Sequence, residues 1–225
     1  MQSLESIGLI VRVKFAKNHG LIDCNTYNCN IYPDLTVLWR KCVEHGFTDH
    51  LVTILRGLFD HCRATVRIGS ATSSPYPQPL GLLQGSSLSP ILYAIFIDDL
   101  PQRIRSPDYG YTLHDASVNT FLFADDIAIV ASTPDELQKC LEVCQEHSIQ
   151  NNYRFGVPKC EVFLDDFKDE DSVVIYNEQL PRSKMFKYLG VWFNSNGIDE
   201  RRCFEHAKGK FKARIADLKS SGFGM

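Results

Sequence analysis

Two apolar arms meet at adjacent carboxylates in Thr120-Phe-Leu-Phe-Ala-Asp-Asp-Ile-Ala-Ile-Val-Ala131, and this run constrains the chain more than any other. Such a pattern predicts a β-hairpin with Asp125 and Asp126 at its turn. Two carboxylates held this close are unfavourable unless a cation or strong hydrogen bonds compensate. Mg²⁺ is the usual compensation, because it prefers hard oxygen ligands and takes only a few protein carboxylates beside substrate phosphates. The bland alternative is a turn made acidic for solubility alone. Apolar flanks on both sides speak for the metal.

Two-metal phosphoryl transfer asks for a third carboxylate, delivered from the end of a neighbouring strand. Leu21-Ile22-Asp23 fits that description, being an apolar strand end that closes on an acid. Asp34 is the rival, but it stands just before a helical pattern and reads better as an N-cap.

Around this centre, helices and strands alternate, which predicts an α+β domain. Strands are expected over Ile7–Phe15, Gly20–Asp23, Ala64–Ile68, Glu161–Leu164, Val173–Tyr176 and Tyr188–Phe193. Leu35, Leu38, Trp39 and Cys42 have helical spacing and predict a helix over Leu35–His45. A second follows over Asp49–Phe59, and a strongly apolar one over Ile91–Leu100. Ser70–Pro79 reads as a loop and Pro101–Asn119 as a polar connection. Thr133, Pro134 and Glu136 supply an N-cap, a first-turn proline and a capping box for the helix carrying Leu137, Cys140, Leu141 and Cys144. A basic helix is expected over Glu200–Leu218.

Composition excludes several classes. With 44% apolar and 23% charged residues, the chain has the balance of a folded domain rather than a disordered one. No apolar run approaches the ~18 residues of a membrane span, and there is no secretory pattern, so an intracellular protein of the nucleus or cytoplasm is expected. The eight cysteines include no C-x-x-C pair, and Cys140 and Cys144 lie on an apolar stripe where buried thiols are the commoner reading. The net charge of −3 is not the basic footprint of a nucleic-acid binder. Charge is uneven, however: Arg201, Arg202, Lys208, Lys210, Lys212, Arg214 and Lys219 face only Glu205 and Asp217 over the same stretch. That stripe reads either as a solvated face or as a track for phosphates.

Four segments in order complete the picture: Gly81-Leu-Leu-Gln-Gly-Ser-Ser-Leu-Ser-Pro90 with the apolar run after it, Phe123-Ala-Asp-Asp126, Val157-Pro-Lys-Cys160, and Phe186-Lys-Tyr-Leu-Gly-Val-Trp192. Together they resemble successive motifs of reverse transcriptases, and the F-A-D-D and Tyr-Leu-Gly-Val forms resemble those of non-LTR, LINE-like retrotransposons. Leu38-Trp-Arg-Lys41, His45-Gly46 and Val66-Arg-Ile-Gly69 match the same family. The resemblance implies a right-hand polymerase palm, an antiparallel sheet packed on helices. It assigns residues 1–199 to the palm with a remnant of fingers, and 200–225 to the start of a thumb. It implies an N-terminally truncated RNA-directed DNA polymerase, part of a larger retrotransposon polyprotein. Such an enzyme binds an RNA template, a DNA primer and dNTPs, with two Mg²⁺ ions, or Mn²⁺, on Asp23, Asp125 and Asp126. Gln84, Gly85 and Lys159 take the place of nucleotide and template contacts, and Tyr188, Leu189 and Gly190 that of the primer grip. One motif departs from the pattern. In Asp23-Cys-Asn-Thr-Tyr-Asn-Cys29, Asn28 stands where an aromatic is expected and Cys29 where a second acid is expected. That departure supports an alternative: a catalytically inactive remnant that at most binds nucleic acid.

Overall fold

The computed structural model describes residues 9–13, 33–77, 81–83, 85–105, 111–113, 116–163 and 172–221. Its centre is a five-stranded sheet. In spatial order the strands are β13 (Arg182–Ser183), β10 (Glu161–Phe163), β1 (Leu9–Val13), β9 (Asp126–Ala131) and β8 (Thr120–Phe123). Every pairing is antiparallel except that of β10 with β13. β1 is therefore central, and it pairs with β9 from Leu9↔Ala131 to Val13↔Ile127.

Helix α5 (Pro134–Gln150) lies on this sheet. Its Leu137, Cys140, Leu141 and Cys144 are fully buried against Ile127, Ile129 and Val162 of the strands. The apolar stripe read from the sequence is thus the packing face, and both thiols are core residues. The start signals also hold, with one shift. The Thr133 hydroxyl accepts from Glu136 N–H, while the Glu136 carboxylate accepts from Ser132 N–H rather than from the cap residue itself.

A second core joins α1 (Leu35–Glu44), α2 (Asp49–Phe59) and α3 (Ser89–Ile97) through Leu38, Cys42, Leu55, Phe59, Leu92 and Phe96. Asp34 caps α1, its carboxylate accepting from the N–H groups of Thr36 and Val37 at 2.8 and 3.2 Å. The expected apolar helix breaks in two. α3 ends at Ile97 and α4 (Asp99–Ile104) follows directly, extending into what the sequence suggested was a polar connection. Pro101 explains the break, because it has no N–H to donate to the carbonyl of Ile97 four residues back.

Between α2 and α3 lie short strands: β2 (Arg63–Ala64) pairs with β5 (Tyr76–Pro77), and β3 (Arg67–Ile68) with β4 (Ala71–Thr72). The single strand expected over Ala64–Ile68 is therefore two, and their partners lie in the Ser70–Pro79 stretch expected to be a loop. Gly69, with φ +60, makes the turn that reverses the chain. A further hairpin pairs β6 (Tyr111–Leu113) with β7 (Ala116–Val118).

Two more hairpins follow. β11 (Val174–Ile175) pairs with β12 (Glu178–Gln179) through Tyr176 and Asn177, both at positive φ. A tyrosine there goes against local preference. Tertiary contacts hold it: its hydroxyl meets Ser148 Oγ at 2.6 Å and accepts from Phe155 N–H at 3.2 Å, and Arg154 stacks 4.1 Å from its ring. The strand expected over Tyr188–Phe193 is instead β14 (Phe186–Tyr188) turning into β15 (Val191–Asn194), which also pairs with β16 (Gly197–Ile198). α6 (Glu200–Ser220), capped by Asp199, closes the described chain.

Candidate active site

The acidic pair stands where the sequence suggested. Phe123 pairs with Asp126, leaving Ala124 and Asp125 as a two-residue turn between β8 and β9. Ala124 adopts φ +49, a left-handed conformation that disfavours any side chain by roughly 1–2 kcal/mol. Strain of this kind persists only where the surroundings impose it, and it concentrates at functional tips. Asp125 is exposed and Asp126 half-buried, while the next residue, Ile127, is fully buried. The tip is anchored in the core, with Asp125 open to solvent and Asp126 partly covered.

In helix α3, Tyr93 is partly buried against the core, and burial first, with the charge of Asp125 second, pushes its phenol well above its ordinary range. Sequence reading passed over Tyr93, since an aromatic in an apolar helix looks like core. Gly85 sits at φ +90 with open space where a Cβ would be, so the loop needs glycine for its backbone conformation rather than for room. Lys159 is exposed at the end of a single 3₁₀ turn (Val157–Lys159) that leads into β10.

Tyr188 closes β14, and Leu189 and Gly190 form its turn at φ +48 and +90. Two consecutive positive φ values are the signature of a tight hairpin matched to the strand twist. Leu189 is 51% exposed there. Behind the hairpin, Trp192 is flanked by the Arg202 guanidinium at 4.4 Å and the Lys187 ammonium at 5.4 Å. α6 thus docks on β15 through the side bearing Arg202, Cys203 and His206. Its opposite side leaves Phe204, Phe211 and Leu218 exposed, one every seven residues, beside Lys208 and Lys212.

Asp23 and Gln84 lie outside the described residues. The strand beside the acidic hairpin is β1, and Leu9-Ile10-Val11-Arg12-Val13 contains no acid. Asp34, the rival third ligand, is committed to capping α1 and also accepts from Asn152 Nδ2 at 3.0 Å. Among the described residues no group of three His, Cys, Asp or Glu side chains is placed to hold a metal. Asp125 and Asp126 nonetheless suit Mg²⁺, which takes one or two carboxylates and completes its shell with water and substrate phosphates.

Against this geometry stand the comparisons. A model of the family described as reverse transcriptase (RNA-dependent DNA polymerase) matches residues 34–193, well over half of the chain. The chain belongs to the reverse transcriptase family. Its relatives are non-LTR retrotransposon proteins. The RNA-directed DNA polymerase from mobile element jockey of Drosophila funebris is 29% identical over 71% of this chain and 17% of that protein. The transposon TX1 uncharacterized 149 kDa protein of Xenopus laevis is 24% identical over 79% and 14%. The Pol polyprotein of a type-1 R2 element from Popillia japonica is 21% identical over 69% and 27%. This reverse transcriptase chain thus spans well under a third of the length of these relatives. Telomerase from Candida albicans, solved with a fragment of telomeric RNA, superposes with a TM-score of 0.52 over 84% of this chain and 29% of its own, at 12% identity. That likeness supports a polymerase-type fold of mixed helix and sheet. No helix among the described residues is long and apolar enough to cross a membrane.

Proposed function

We propose that this chain is the nucleotidyl-transfer core of an RNA-directed DNA polymerase, with the Ala124–Asp126 tip as its catalytic centre. The observation that carries the reading is the acidic pair itself: two adjacent carboxylates, one exposed and one half-buried, at the tip of a strained hairpin whose next residue is anchored in the core. In this reading a primer 3′-hydroxyl attacks an incoming dNTP opposite an RNA template. Asp125 and Asp126 hold the divalent cations, with Asp125 as the bridging ligand and Asp23 supplying a third carboxylate. When bound, two Mg²⁺ ions, or Mn²⁺, lower the pKa of the attacking hydroxyl and neutralise the charge growing on the leaving oxygen.

The remaining roles belong to the chain's own groups. Gln84 and Gly85 line the nucleotide and template, the glycine letting backbone approach the substrate closely. Lys159 stabilises the departing pyrophosphate. Tyr188, Leu189 and Gly190 hold the primer end. Residues 1–199 are the palm with a remnant of fingers, and α6 opens a thumb whose Arg201, Lys208, Lys212 and Lys219 follow a phosphate backbone. The chain works inside the cell, in nucleus or cytoplasm, as part of a larger polyprotein.

Primer extension on an RNA template tests this. The parent chain should incorporate dNTPs, and Asp125→Ala with Asp126→Ala should abolish incorporation. Equal activity in both would remove the proposal.

A second reading is a catalytically silent remnant that binds nucleic acid without extending it. The absence of any acid from β1, the strand beside the hairpin, favours it, as do Asn28 and Cys29 in the altered motif. It predicts salt-sensitive binding of a primer–template with no incorporation. Measurable extension by the parent excludes it.

A further inference from the structure

A connected group of polar side chains, partly buried, lies where the helices of the two cores meet. Asp99, the first residue of α4, accepts at Oδ1 from Lys41 Nζ of α1 at 2.5 Å and meets His147 Nε2 of α5 at 2.9 Å. Its Oδ2 pairs with Arg103 at 3.3 Å. Lys41 also donates to the carbonyl of Phe96, the last buried residue but one of α3. His147 is completely buried, and its other ring nitrogen meets the Tyr153 hydroxyl at 2.7 Å. One imidazole and one carboxylate thereby tie α1, α3, α4 and α5 together.

The hydrogen positions follow from the chemistry. A carboxylate only accepts, so the proton between His147 and Asp99 belongs to Nε2. A neutral ring then has its lone pair at Nδ1, and the Tyr153 hydroxyl donates to it. Every member is satisfied in this state. A second proton on the ring places a donor at Nδ1, so the Tyr153 hydroxyl must turn its own hydrogen elsewhere and accept instead. It also sets three cations, His147, Lys41 and Arg103, around a single carboxylate, with His147 and Lys41 buried while Asp99 and Arg103 stay partly open to solvent.

We propose that His147, with Asp99, Lys41 and Tyr153, is an acid-sensitive latch that fastens the α1–α3 layer to α5 when the imidazole is neutral and loosens when it is protonated. The groups facing the ring are Lys41 from α1, Asp99 and Arg103 from α4, and Tyr153 from the turn after α5; Tyr93, Cys144 and Tyr176 surround Tyr153 in turn. Burial holds the His147 pKa below its ordinary value of 6.5, against the hydrogen bond to Asp99, which raises it. A histidine depressed in the folded state stabilises the fold above its unfolded pKa, and that stability is lost as pH falls through the window below it. Burial would raise the Asp99 carboxyl, but the hydrogen bonds from His147 and Lys41 prevail and hold it well below the usual range. Asp99 therefore stays ionised while His147 titrates.

Hydrogen exchange by mass spectrometry, corrected for intrinsic rates, on the parent chain and His147→Gln tests the latch. Glutamine keeps one donor and one acceptor but cannot take a proton. Between about pH 8 and about pH 5, the parent should lose at least about tenfold protection in Leu35–Glu44 and in Pro134–Gln150 together, while His147→Gln loses little. Equal acid response in both chains overturns the proposal. Should His147→Gln fail to fold, ring ¹⁵N shifts of His147 in the parent decide instead. A neutral ring protonated at Nε2 at about pH 8 supports the latch, and a doubly protonated ring there contradicts it. Neither readout depends on polymerase activity.

Discussion

Gly190 isolates a single physical effect, whereas Asp34 combines two, a helix cap and a tertiary hydrogen bond. Asp34 satisfies two orphan N–H groups at the start of α1 and a side-chain amide from the turn after α5. Asp34→Ala should therefore destabilise the chain by about 1–2 kcal/mol, toward the upper end for a cap, measured by chemical denaturation with an unchanged m-value. Gly190→Ala adds a methyl to open space, so its effect is purely conformational: at φ +90, roughly 1 kcal/mol of lost stability is expected by the same measurement. The turn at Gly190 was not legible in the sequence, since Tyr188–Phe193 reads as one continuous strand, whereas an acid one residue ahead of a helical stripe marks Asp34 by local signals. Asp99 carried none. It read as the polar end of an apolar helix, because its partners Lys41 and His147 are 58 and 48 residues away and no periodicity encodes such a contact.

At the scale of elements, α5 should be the most sensitive. Its buried face closes the core above the sheet, and Leu141 is fully enclosed there. Leu141→Ala should lower unfolding free energy by about 2–5 kcal/mol, the spread depending on how far the neighbours collapse into the void. Regular helices such as α2 were read with their true limits, Asp49–Phe59, since amphipathic spacing decides them. Short paired strands were not. β2 through β5 are two residues each, too brief for alternation to register, and their order comes from pairing across the turn at Gly69. The single helix expected over Ile91–Leu100 failed for a different reason, a proline whose missing donor falls on the carbonyl of Ile97.

Over the whole molecule, charge and family point to the same surfaces. Net charge is −3, yet α6 docks through Arg202 and His206 and turns Lys208 and Lys212 outward beside exposed phenylalanines. Lys208→Glu with Lys212→Glu should weaken binding of an RNA–DNA primer–template at least about tenfold and flatten its salt dependence, read by fluorescence anisotropy. An unchanged salt slope would remove α6 from the interface. The order of the motifs made the family legible, and the alternation of helices and strands did the same for the α+β architecture. The third member of the acidic centre, read at Asp23, lies outside the described residues. Paramagnetic broadening by Mn²⁺ addresses the central claim without requiring turnover. Amide signals of Ala124–Ile127 should broaden first, recover on adding excess Mg²⁺, and stay sharp in the Asp125→Asn, Asp126→Asn chain. Broadening centred on another part of the molecule, or undiminished in that variant, would contradict a metal-dependent polymerase centre at this hairpin.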